Sequence, residues 1–333
     1  MTPRGDEVRG TGDALISGVM IQIGRILCPV DFSDFGRRAL DYAAAIARWY
    51  EATVSVLYVS PNRPAMDVPP MVMDEKDRAC LMTKLRALTA HLPADVTVDL
   101  RIEEASDVHR EILRQAEATR ADLLVLGSHG RSGFDRLLLG SVTEKLLHKA
   151  ACPILIVPRR APETSPDAPV HFGRILCPVD FSAGSARALT YALSLAEEAD
   201  ARLTVLHVIE MPPELRLNPL AADFNVDAAH AAAEAECLRR LRALIPEQAR
   251  TYCTVVTAVR EGAAYREVLK VAAAESADLI VMGVWGRGAI DLMVFGSNTA
   301  RVARAAACPV LVVQSQAVVA EPRDTLLSDG GIT

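Results

Sequence analysis

A chain of 333 residues has room for about two domains of ordinary size, and with half of its residues hydrophobic, wholesale disorder is excluded. A net charge of −6 argues against a broad basic surface for DNA or RNA, and no apolar run reaches the roughly 20 residues of a membrane span. Aromatics make up only 5%, and the abundance of Ala, Val, Leu and Ile suits α/β layers better than a β-sandwich.

Residues 1–22 have no partner elsewhere in the chain and are expected to be a mobile extension, with Met20 as an alternative start. The stretch Ala14 to Ile23 is too short and too interrupted for a secretion signal, so a cytoplasmic location is expected. Arg25 to Val30 is a short apolar run, as in a parallel strand covered on both faces. Phe35 to Tyr50 carries Ala39, Leu40, Ala43, Ile46 and Ala47 at helical spacing. A second strand is expected over Thr53 to Val59, a helix over Met71 to Leu92, and a half-exposed strand over Val96 to Ile102. Then follow a helix over Val108 to Thr119, a buried strand over Asp122 to Gly127, a helix over Ser141 to Ala150 and a strand over Pro153 to Val157.

The order then starts again. GRILCPVDFS at Gly24 to Ser33 recurs letter for letter at Gly173 to Ser182, an offset of 149. Ala151-Cys152-Pro153 recurs at Ala307-Cys308-Pro309, an offset of 156, so the second copy holds seven extra residues between these blocks. Strands are expected near 174–179, 203–208, 253–259, 278–283 and 309–313. The join, RRAPETSPDAPV, has three prolines among polar neighbours. The expected division is residues 23–160 for the first domain, 161–170 for the linker, 171–316 for the second domain and 317–333 for a mobile tail. Alternating strands and helices predict two doubly wound α/β domains, whose ligands would lie at the carboxyl ends of the strands.

At that end of the fourth strand, Gly127-Ser128-His129-Gly130 is followed by nine residues and then Gly140-Ser141. The second copy repeats the spacing with Gly283, Gly286, Gly296 and Ser297. Glycines bring backbone N–H groups close to a ligand, and a helix opening at Gly140-Ser141 favours an anion. The plainer reading is a tight turn in which Ser141 only caps a helix. Asp31 and Asp180 end the first strand of each copy, placed either to accept hydrogen bonds from a base or ribose or, with Ser33, to cap the next helix. The chain has no GxxxxGK[ST] loop, and the glycines do not form GxGxxG.

ILCPVDFS, the G-2x-G-9x-G-S spacing and the closing ACPILIVP together resemble the universal stress protein family, here as a tandem pair. The resemblance implies a five-stranded parallel sheet of order 3-2-1-4-5 in each domain, helices on both faces, and ATP between the first and fourth strands. It places nucleotide contacts at Pro29, Val30, Asp31, Val59, Gly127, Ser128, His129, Gly130, Arg131, Gly140, Ser141, Val142 and Thr143. The corresponding second site would use Asp180, Val208, Gly283, Gly286, Gly296 and Ser297, with Arg287. It is ranked below the first because Val284, Trp285, Leu292 and Asn298 replace Ser128, His129, Arg136 and Val142. ATP is the expected cofactor, with magnesium or manganese as a candidate companion. The last strands are apolar edges that would invite aggregation if left bare, and the resemblance implies that they pair the two repeats as an intramolecular pseudo-dimer, with a homodimer through another surface as a further option.

No catalytic cluster is legible beyond the lone His129, so binding is preferred to catalysis. A nucleotide-free interaction module of the same fold is the main alternative and a slow ATPase a further one. The seven cysteines show no CxxC or zinc spacing and are expected to be reduced thiols. Glu234, Glu236, Arg239, Arg240 and Arg242 are expected on a solvated helix face.

Overall fold

The computed structural model describes residues 21–62, 73–128, 139–162, 170–210, 226–284 and 296–314. The first half runs β1 (Arg25–Pro29), α1 (Asp34–Tyr50), β2 (Thr53–Pro61), α2 (Glu75–Thr89), β3 (Thr97–Ala105), α3 (Val108–Thr119), β4 (Leu123–Gly127), α4 (Ser141–Lys149) and β5 (Ile154–Val157). The second half runs β6 (Arg174–Pro178), α5 (Ala183–Glu198), β7 (Arg202–Ile209), α6 (Val226–Ala243) and α7 (Ala249–Tyr252). It continues through β8 (Thr254–Glu261), α8 (Ala264–Ala274), β9 (Leu279–Gly283), α9 (Ser297–Ala305) and β10 (Val310–Val313).

Local chemistry accounts for the ends. Ser33 caps α1 by accepting a hydrogen bond from the Gly36 N–H, and Asp74 caps α2 through the Asp77 N–H. That cap starts α2 four residues later than the apolar pattern suggests. Strand β3 extends to Ala105 because it pairs with β2 along its whole length, ending at Pro61↔Ala105. The one-turn α7 is too short to leave a periodicity in the sequence. The sequences KLRAL and RLRAL place Leu85 opposite Leu241 at the offset of 156, and both leucines are fully buried. The seven extra residues therefore enter ahead of this point, between β7 and Leu241.

Each half has the strand order 3-2-1-4-5, all parallel, the order that the family resemblance implies. The two sheets meet edge to edge: β5 and β10 pair antiparallel, with Val310 opposite Ile156 and Val312 opposite Ile154. A ten-stranded sheet results, of order β3-β2-β1-β4-β5-β10-β9-β6-β7-β8. One apolar layer lies under α1, α2, α5 and α6, the other under α3, α4, α8 and α9, and each contains residues of both halves.

The chain between the halves is tied to α1 at both ends. The Arg38 guanidinium donates to the carbonyls of Arg159 and Ala161, at 2.5 and 3.1 Å. Phe172 is fully buried, 5.9 Å from the Tyr42 ring and 5.4 Å from the Trp49 ring. Tyr50 and Ser194 share a hydrogen bond of 2.9 Å between α1 and α5.

All seven cysteines are free. Burial pushes the thiols of Cys28 and Cys177 far above their ordinary range and that of Cys152 to about 11, whereas Cys80 is exposed on α2. Ellman's reagent should accordingly modify Cys80 in the native protein but reach Cys28 and Cys177 only on unfolding. Labelling of Cys28 or Cys177 in the native protein, located by peptide mass mapping, would contradict this placement.

Candidate functional site

Strand order reverses between β1 and β4, since β1 continues to β2 on one side and pairs with β4 on the other. Only Ile26↔Leu123 and Leu27↔Leu124 register across this junction, so a crevice opens beyond the carboxyl ends of the two strands.

On the β1 wall, the half-buried Pro29 precedes Val30, whose N–H donates to the Leu57 carbonyl at 2.8 Å. Asp31 follows, and its Oδ1 accepts hydrogen bonds from the N–H and hydroxyl of Ser33, at 3.1 and 2.5 Å. Of the two candidates for the helix cap, Ser33 fills the role, and the Asp31 carboxylate braces it. Between them Phe32 adopts a left-handed backbone with φ of 59°, which costs a non-glycine residue about 1–3 kcal/mol. The same strained turn recurs at Phe181, with φ of 63°, braced by Asp180 on Ser182. Val59 is buried in β2 opposite Glu103 of β3.

On the β4 wall, Gly127 ends the strand, and the N–H of the buried Ser128 donates to the Val157 carbonyl at 2.9 Å. The chain returns at Gly140, whose N–H donates to the Ser128 carbonyl at 2.8 Å. Gly140 occupies the N-cap of α4 with no side chain to cap it, and exposed Ser141 is the first helical residue. The reading of Ser141 as a mere cap is thus corrected: the capping position is one residue earlier and holds a glycine. Thr143 turns inward, its hydroxyl donating to the Gly127 carbonyl at 3.1 Å, which fixes the helix start to the strand end. Half-buried Val142 lies between them. The unsatisfied N–H groups and the dipole of α4 make this end of the crevice favourable for an anion.

The second half reproduces this frame. Thr299 donates to the Gly283 carbonyl at 2.9 Å, the Gly296 N–H donates to the Val284 carbonyl at 3.0 Å, and exposed Ser297 begins α9. Val208 is half-buried opposite Arg260 of β8. The packing at the end of β9 is close. A Cβ on Gly283 would lie 2.7 Å from the backbone of Gly184, so α5 is seated directly on the end of β9. Where the first half has Gly36, the second has Ser185, whose hydroxyl donates to the Ser182 carbonyl at 3.0 Å and accepts from the Asp180 N–H at 3.3 Å.

His129, Gly130, Arg131 and Arg136 lie outside the described residues, as do Trp285, Gly286, Arg287 and Leu292. Among the described residues no group of three or more His, Cys, Asp or Glu side chains is placed to hold a metal ion. The sequence reading missed an aromatic pair behind each strained turn. Phe32 lies 4.7 Å from Tyr58, and Phe181 lies 4.5 Å from His207, whose Nδ1–H donates to the Val179 carbonyl. The duplicated phenylalanine was the available signal. Arg240, expected on a solvated face, instead stacks its guanidinium 3.9 Å from the Phe181 ring centroid, because cation and ring attract when desolvated together.

The family model described as the Universal stress protein family matches residues 22–158 and again 171–314. A universal stress protein of Mycolicibacterium smegmatis is 27% identical over 308 residues, covering 87% of this chain and 96% of the relative. One from Methanocaldococcus jannaschii is 32% identical over 143 residues, covering 40% of this chain and 81% of the relative. The crystal structure of a universal stress protein from Archaeoglobus fulgidus superposes with a TM-score of 0.61 at 23% identity, covering 88% of this chain and 99% of that one, a likeness of fold.

Proposed function

This chain belongs to the universal stress protein family, and on that footing we propose that its first repeat binds ATP as part of a nucleotide-dependent stress-response module. The observation that carries the reading is the pairing of walls across the crevice: the braced Asp31 turn ends β1, and the uncapped start of α4 follows β4. Asp31 would accept from the adenine or ribose, with Val30 and Val59 lining that end. The N–H groups of Ser141 and Val142 and the Ser141 hydroxyl would meet the phosphates. The residues fit such a ligand, since Gly140 leaves its approach clear of a Cβ and the Thr143 hydroxyl is already spent on Gly127. A magnesium or manganese ion would travel on the triphosphate. In the second repeat the Ser185 hydroxyl, bonded to the Ser182 carbonyl and the Asp180 N–H, stands where the first repeat has Gly36, which supports ranking that site below the first.

A structural role for the repeats is supported by a separate observation, the antiparallel joint of β5 and β10. On this reading the halves would act as an intramolecular pseudo-dimer without need of nucleotide, and the two readings are compatible. Among the described residues no helix is long and apolar enough to cross a membrane.

Denaturing the purified protein and separating the supernatant by chromatography should release about one equivalent of adenine nucleotide per chain. Gly140→Val, which places a branched side chain over the first N–H groups, should reduce retention at least tenfold, with Ser141→Pro, which removes one of those N–H groups at the first helical position, as the second variant and circular dichroism as the check on the fold of both. Two equivalents would overturn the ranking of the repeats, and full retention by Gly140→Val would overturn the phosphate site.

A further inference from the structure

We propose that the cleft between α1 and α2 of the first half is a second ligand site, for a small oxyanion carrying a flat ring. The cleft has a volume of about 530 Å³, within the range of small-molecule sites. Phe32 and Leu88 supply apolar wall, and Arg37 and Lys84 stand on its rim, both exposed. His91 also lines it, but its Nε2 is held by Asp41 at 2.6 Å, which occupies that carboxylate. Among the described residues neither Arg37 nor Lys84 has an acidic partner within ion-pair distance.

The duplication supplies an internal control. The offset that aligns the buried Leu85 with Leu241 aligns Lys84 with Arg240. In the second half the Arg240 guanidinium sits over the Phe181 ring, 3.9 Å from its centroid, so the protein's own cation covers that aromatic face. Its other basic positions are also gone: Arg37 corresponds to Ala186 and His91 to Glu247. One repeat therefore covers its ring and drops the surrounding charge, while the other leaves the ring on a cleft rimmed by two cations. A flat apolar ring stacks on Phe32 and buries against Leu88, and an oxyanion, carboxylate or phosphate, meets the guanidinium and ammonium groups. The apolar layer beneath α1 and α2 is distinct from the layer beneath α4, so this cleft and the α4 anion end lie toward opposite faces of the sheet.

The test uses 1-naphthyl phosphate as the probe on the full chain, with 1-naphthol and inorganic phosphate as the half-probes, read by saturation-transfer NMR. The whole probe should bind more tightly than either half and should stay bound at saturating ATP. The double variant Arg37→Ala/Lys84→Ala should weaken the probe at least tenfold and leave ATP retention unchanged, which separates this site from the nucleotide reading. Both side chains are exposed, and an unchanged urea midpoint would verify the fold of the variant. Displacement by ATP, equal binding of 1-naphthol, an unaffected double variant or no binding at millimolar probe would each overturn the proposal.

Discussion

Phe172→Ala is expected to destabilise the protein by about 3–5 kcal/mol, the usual cost of removing a buried ring. Phe172 belongs in sequence to the second repeat, two residues ahead of β6, yet its ring packs between Tyr42 and Trp49 of α1 in the first. It is fully buried in the apolar layer to which both halves contribute. Its loss opens a cavity that neither half can close alone, and the disturbance should reach both. Urea unfolding followed by far-ultraviolet circular dichroism should show one transition with a lowered midpoint and little change in slope. A loss below about 1 kcal/mol would mean that the site collapses around the smaller side chain.

Gly283→Ala should have the next largest effect on the second repeat. The added Cβ would meet the backbone carbon and oxygen of Gly184 at 2.7 Å, and backbone in a helix start cannot rotate away as a side chain can. Overpacking of this kind costs about 1–3 kcal/mol. Gly296→Ala meets the Val284 carbonyl at 2.6 Å and should behave alike. Gly24→Ala is the control: its nearest neighbour, the Asp122 carboxylate, is 3.7 Å away, an ordinary contact. Thermal melts should rank the control well above the other two, and a Gly283→Ala protein as stable as Gly24→Ala would show that α5 lifts away freely.

Much of this arrangement was legible in the letters because the signals are local or duplicated. Four-residue apolar runs such as Ile154–Val157 have few uses other than a covered strand, and two identical PVDFS segments mark one turn twice. The division of labour between Asp31 and Ser33 was not legible, since either side chain can reach a helix start and only the geometry shows the serine doing so. The left-handed Phe32 carries no glycine or asparagine to announce it; the bracing by Asp31 sustains it. Arg240 looked like any charge on a helix surface, and its partner ring lies 59 residues away in sequence. Phe172 sits just past a proline-rich stretch, and composition offers no hint that α1 receives it.

The antiparallel joint between β5 and β10 has one more consequence. Two separate chains joined by such a pair of short strands would part on dilution, and any change in one surface would appear in both. Here the strands share a covalent backbone, so their encounter is unimolecular and independent of protein concentration. The stoichiometry of the two halves is fixed at one to one in every molecule. Symmetry is no longer imposed, and a substitution such as Gly36 to Ser185 alters one half without its counterpart. A tethered pair can keep one pocket for a ligand and let the other become scaffold.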